Sequence, residues 1–246
     1  MDRVAGVRLK IERAKKHIKV LDAELDTFCN TKAYVLATKE KPEIEHVTLY
    51  IAEIHPIPSE LPLIIGDAIH NLRSALDHLV WQLIEAAGGT PNRDTYFPIC
   101  QSPQQYASAI GKGEIKTVSS GAEKLIREMQ PYIAGDNPLW YLHQLDIADK
   151  HRLLLTVTTR VGAWWADIGE MAIPFVQTPR PLILGEEITN IPTTTYKRTG
   201  HKNFKLGLTI TFGKSEIVAG KPVLETLNGM ADFVSSIVSG FEPFLA

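Results

Sequence analysis

The chain reads as an α+β protein: an antiparallel helical bundle with an inserted β-hairpin and a larger antiparallel sheet. Three observations predict this. Val4, Val7, Ile11, Ala14, Ile18, Leu21, Leu25 and Phe28 recur at alternating steps of three and four, the mark of a long helix packed lengthwise on another. A second seam of the same kind, Val223, Leu227, Met230, Val234, Ile237 and Phe241, stands at the opposite end. Between the two lie β-branched or alternating runs separated by Gly, Pro, Thr and Asn. A seam at each end implies that the terminal helices pack together. The β segments are then insertions into one domain covering 1–246.

In chain order, the first bundle helix occupies 1–30. The β insertion over 33–55 holds two strands, 34–38 and 46–52, joined by a turn-like stretch at 39–43. In the second strand Val47, Leu49 and Ile51 alternate with Thr48, Tyr50 and Ala52. Pro56, Pro58 and Pro62 break the chain, and the bundle segment 60–88 carries a helix from about 63 to 87 that Gly88-Gly89 ends. The stretch 90–118 is loop-rich. In the bundle segment 119–152, Ser120 and Glu123 form a capping-box pair opening a short helix to Met129. Asn137 as cap and Pro138 at the first position open another, over 138–152. The larger β insertion covers 153–218, with runs at 153–159, 181–184 and 204–212, and Pro222 restarts a helix in the segment 221–245.

Composition bounds the function. The 246 residues are 44% hydrophobic and 22% charged, ordinary for a globular protein that buries a sizeable core. A net charge of -2 excludes a chain coated in positive potential for non-specific nucleic-acid binding, although not a local basic patch. Such a patch is available on the first helix, where Arg3, Arg8, Lys10, Arg13, Lys15, Lys16 and Lys19 face only Asp2 and Glu12. This is either a solvated face or an edge that attracts phosphate. Cys29 and Cys100 lie outside any metal-ligand spacing and are expected to be free thiols. No signal peptide and no membrane span are expected, which points to a cytoplasmic protein.

The stretch from Gly66 to Trp81 carries the functional signal. At about 100° per residue its faces separate. Ile65, Ile69, Leu72, Leu76, Leu79, Val80 and Leu83 take one side; Asp67, His70, Asn71, Arg73, Ser74, Asp77, His78 and Glu85 take the other. A merely solvated face would carry Lys, Glu and Gln. This one carries side chains used for chemistry or for buried polar networks. A second cluster sits on the helix over 138–152, with His143, Asp146, Asp149, Lys150 and His151. Lys150, His151 and Arg152 suit a helix C-terminus, where cations complement the dipole, and Asp146 and Lys150 are spaced to pair. His143 and Asp146, mid-helix among apolar neighbours, are not explained that way. The two clusters are expected to meet, because buried polar groups demand partners.

Arg73 and His78, separated by four residues on this helix, resemble the signature of the HEPN superfamily, whose members are helical-bundle nucleotide-binding domains and RNases. Ser74 stands where that family usually has Asn, Asp or His. The resemblance implies a nucleotide- or RNA-binding protein, with metal-independent endoribonuclease activity as its catalytic form and no cofactor. Arg73 and His78 are then the catalytic residues, with His70, Ser74, Asp77, His143, Asp146, Asp149 and His151 binding or supporting. His78 would act as base or acid on a 2′-hydroxyl, and Arg73 would hold the phosphate. Five helical steps set the two about 140° apart. The family's solution is a dimer with two such helices facing one cleft, so the resemblance implies a homodimer. Arg8, Lys15 or Lys19 would line the rim. The run Ile-His-Asn-Leu-Arg-Ser-Ala-Leu-Asp-His-Leu, followed by Asp-Lys-His-Arg, also resembles a group of uncharacterised bacterial proteins, which implies no activity.

Other readings stay open. Arg73 with Asp77, and His70 with Ser74, are each four apart, so the face could be a network that fixes helix register. The bundle would then be a non-catalytic interaction module with a protein partner. A metal-dependent bundle enzyme similar to the DinB group would need His from both clusters on one ion. His70 and His78 are turned apart by about 80° and separated by about 12 Å along the helix, so they cannot share one. Trp164-Trp165 reads as strand packing, since neighbours in a strand point to opposite faces. Gly111-Lys112-Gly113 lacks the strand–turn–helix setting of a phosphate loop.

Overall fold

The computed structural model describes residues 2–112, 114–133, 138–151, 155–167, 172–199, 204–214 and 216–245. Helix α1 spans Arg3–Thr31, and the Asp2 side chain caps it by accepting from the Val4 amide at 2.9 Å. All eight residues of its seam are buried. Strands β1 (Tyr34–Lys41) and β2 (His46–Ile54) form the expected hairpin, longer than the sequence suggests. A 3₁₀ turn at Pro42–Ile44 joins them, with Glu45 in the left-handed region.

Helix α2 (Glu60–Ala86) is central, packing against α1, against α5 (Pro138–His151) and against α7 (Val223–Phe241). Ile65, Ile69, Leu72, Leu76, Leu79 and Leu83 are fully enclosed, and the α7 seam is buried against the same core. Each helix turns its apolar stripe inward, which leaves the polar faces to meet neighbours or water. The chain is α+β. Among the described residues, no helix is long and apolar enough to cross a membrane.

The stretch 90–118 corrects the loop reading. It holds α3 (Pro103–Lys112) and a 3₁₀ turn at Glu114–Thr117. Pro103 stands at the first helical position and Ser102 Oγ accepts from the Gln105 amide at 3.2 Å, so proline starts this helix and does not break a loop. Tyr106 and Ile110, four apart, are buried. In α4 (Ser120–Met129) the cap is Ser119, which accepts from the Ala122 amide, and not Ser120; Glu123 pairs with Arg127. Asn137, Arg152 and Gly113 lie outside the described residues.

Strand β3 is Val157–Asp167, β4 Ala172–Pro181, β5 Glu187–Pro192 and β6 Phe204–Phe212, with helix α6 (Thr193–Thr199) between the last two. They do not form one larger sheet. Strands β4-β3-β6 make one three-stranded antiparallel sheet, while β5 leaves to extend the hairpin as β1-β2-β5. Gly185 makes that crossing possible: at φ +77 it turns the chain so that its amide donates to the Ile51 carbonyl at 2.8 Å. Ile51, Val161 and Leu206 form a small core between the sheets. The side chains of Trp164 and Trp165 lie outside the described residues.

Candidate functional site

The polar face of α2 meets α5. Asp146 on α5 is 2% exposed and takes two hydrogen bonds, from His70 Nδ1 at 3.1 Å and from Lys150 Nζ at 2.6 Å. His70 Nε2 lies 3.4 Å from the Ser74 hydroxyl. Lys150 therefore neutralises a buried carboxylate from the same helix, four residues on, in addition to sitting near the helix terminus.

Arg73 is 6% exposed, and three of its nitrogens are engaged. Nη1 donates to Asp77 Oδ1, Nη2 to the Phe97 carbonyl at 3.1 Å, and Nε to His143 Nδ1 at 3.4 Å. Asp77 Oδ1 also accepts from the Phe97 amide at 2.9 Å. Arg73 and Asp77 thus hold both main-chain groups of one loop residue. Thr95 and Asn92 fold the preceding turn, with the Asn92 amide donating to Thr95 Oγ1 at 3.0 Å, and the Phe97 ring anchors it in the core.

This loop forms one wall of a cleft of about 530 Å³. Arg73, Asp77 and Val80 of α2 form another wall, and His143, Asp146, Ile147 and Lys150 of α5 a third; Ala109 and Ile115 complete the lining. The lining holds three carboxylates (Asp77, Asp94, Asp146) against two cations (Arg73, Lys150), and each of those cations is paired to one of the carboxylates. The lining mixes these charged groups with apolar side chains and carries no surplus of positive charge.

His143 and Asp77 are among the lining side chains that keep free valences. His143 is held well below the ordinary histidine value, at about 4, first by burial and then by the Arg73 charge. It is neutral near pH 7, and because Nδ1 accepts from Arg73, its proton resides on Nε2. That N–H has no partner among the described residues. Asp77 spends one oxygen on Arg73 and Phe97, and its Oδ2 has no partner among the described residues and is not sealed from solvent. Burial raises the Asp77 carboxyl above the usual range; Arg73 opposes this without cancelling it.

The remaining expected residues lie elsewhere. His78 is exposed and faces a separate cavity of about 370 Å³ with Asp2, Arg3, Gly6 and Gln82. Arg73 and His78 of one chain do not share a cleft. Asp149 stacks on the α2 backbone at Gly66, and its carboxyl is raised by burial and then by Asp146 and Asp67. His151 is exposed. Arg8 pairs with Glu242 and Lys15 with Asp232, and neither they nor Lys19 line this cleft. Among the described residues, no group of three or more His, Cys, Asp or Glu is arranged to hold a metal ion.

Sequence reasoning missed the loop wall. Its contribution comes through the Phe97 amide and carbonyl, and main-chain groups carry no side-chain signal. Only the buried Arg-x3-Asp pair hinted that something needed both a donor and an acceptor. Comparison of the chain with protein-family models, with curated proteins and with solved structures found no match.

Proposed function

We propose that this protein binds a nucleotide or a single-stranded RNA segment, with the base seated in the cleft between α2, α5 and the loop at 94–100. The observation that carries the reading is the pair of free groups on apolar walls: a donor at His143 Nε2 and an acceptor at Asp77 Oδ2. A base edge offers a matching acceptor and donor, and its flat faces suit the surfaces of Pro98, Ile99 and Ile147. The volume lies in the range that holds one small ligand. Because the lining has no surplus cation, the phosphate stays at the mouth, near half-exposed Lys150. The Arg-x4-His likeness to HEPN proteins supports the same ligand class.

Binding is favoured over cleavage by the Arg73–His78 pair. The Arg73 fork is already engaged inside the chain, and His78 opens to another cavity. Cleavage at this pair requires a homodimer in which a second chain brings its own histidine to the cleft.

Calorimetric titration of the purified protein in EDTA with nucleoside monophosphates and short RNA oligomers tests the reading. Saturable binding that His143→Ala removes and His78→Ala leaves unchanged is the expected result. RNA cleavage in EDTA lost in both His78→Ala and Arg73→Ala would favour the nuclease instead. No binding by any of these ligands would leave the bundle as an interaction module built around a register-fixing network.

A further inference from the structure

Strand β6 is an edge of its sheet, paired on one side with β3. Successive peptide groups of an extended strand point to opposite sides, so alternate residues turn both N–H and C=O away from the partner. In β6 these are the even-numbered residues. The Leu206 amide donates to Tyr34 Oη at 2.9 Å, and Phe212 exchanges bonds with the Lys221 carbonyl and the Gly220 amide at 3.0 and 2.9 Å. Both ends of the outward row are thereby occupied. Leu208 and Ile210, between them, present N–H and C=O groups that have no partner among the described residues.

A groove of about 340 Å³ runs along this stretch, with the C-terminal half of α1 as its facing wall. Asp22, Leu25, Asp26, Cys29 and Asn30 line that wall, while Pro222 and Leu224 bound the groove beside them. The two walls match in length. Asp22 to Asn30 rises about 12 Å along a helix, and Leu206 to Ile210 about 13 Å along a strand. Asp22 has no cationic partner among the described residues, and Asp26 is engaged only by the Asn30 side chain.

We propose that this groove docks an extended, basic peptide segment of a partner protein, added to β6 as a further strand. Unpaired edge groups supply main-chain bonds without regard to sequence, which is how strand addition gains affinity. Selectivity comes from α1. Asp22 and Asp26, four apart, stand about 6 Å from one another along the axis, close to the roughly 6.7 Å between alternate side chains of a strand. The peptide that fits therefore carries Lys or Arg at two positions separated by one residue, whose own side chain points away from α1. The same carboxylates repel a nucleic-acid backbone, so this surface is chemically distinct from the α2–α5 cleft and does not depend on what that cleft binds.

Fluorescence anisotropy with the full chain and a dye-labelled Thr-Lys-Val-Lys-Val-Thr peptide tests the proposal. Saturable binding is expected, weakened about tenfold or more when both Lys become Glu, or when the protein carries Asp22→Asn with Asp26→Asn. Both aspartates are exposed, so the melting temperature of that variant should be unchanged. N-methylation of one alternate set of peptide amides should abolish binding, while methylation of the other set leaves it intact. Absence of saturable binding, affinity indifferent to the aspartates, or indifference to which amides are methylated overturns the proposal. So does self-association of the chain that the same two substitutions abolish, since the occupant would then be a second copy.

Discussion

Gly66 of α2 lies directly against Asp149 of α5. A Cβ built at residue 66 would stand 2.1 Å from Asp149 Oδ1 and 2.6 Å from its Cγ. The Asp149 carboxyl fills the space that a side chain at residue 66 would occupy, beside the His70–Asp146 and Arg73–His143 contacts of the same two helices. A helix-interior glycine ordinarily costs about 1 kcal/mol relative to alanine. Here the Asp149 carboxyl seated against the residue 66 backbone accounts for its presence.

Gly66→Ala should accordingly destabilise the protein by about 1–3 kcal/mol, the overpacking term exceeding the gain in helix propensity. In an Asp149→Ala background the same substitution should be neutral or stabilise by up to about 1 kcal/mol. Urea unfolding of the four proteins measures this coupling. Equal effects in both backgrounds would mean that the contact does not constrain α5.

Arg73 and His78 should differ sharply in stability. Arg73→Ala strands the Phe97 carbonyl, Asp77 and His143 in a buried site, and should cost about 3–5 kcal/mol. His78→Ala removes an exposed side chain and should stay within about 0.5 kcal/mol. Chemical denaturation of both variants checks the contrast. Leu76→Ala, at a fully enclosed seam position, should cost about 2–5 kcal/mol by the same measurement.

The depressed His143 value makes stability depend on acid. Burial and Arg73 favour the neutral ring in the fold, so the native state binds fewer protons than the unfolded chain between about 4 and the ordinary 6.5. The stabilisation is fully present above that window and is lost as pH falls through it. Asp77, raised by burial, acts with the opposite sign at the acid end, so the comparison must be between proteins. The unfolding midpoint of the wild type should fall more steeply from pH 7 to pH 4 than that of His143→Gln. Parallel curves would place His143 in water.

The sequence legible in advance was that of the helices. Steps of three and four fixed which residues of α1, α2 and α7 face inward, because helical periodicity is local and burial is what selects it. The polar stripe on α2 and the cluster on α5 were likewise visible, since Asp and His at helical spacing beside apolar residues need partners. The partition of the strands was not visible. Whether β5 pairs with β2 or with β4 depends on the turn at Gly185 and on long-range hydrogen bonds, and no local pattern distinguishes them. Arg73 and His78 looked like one site because a motif is read along the chain. A helix turns them to different cavities.

The nitrogen-15 spectrum of the histidine rings tests the central claim most directly. His143 should appear as a neutral ring protonated on Nε2 at pH 7, and a nucleoside monophosphate should shift that resonance while leaving His78 unmoved. A cationic or Nδ1-protonated His143, or a nucleotide response confined to His78, would contradict the account.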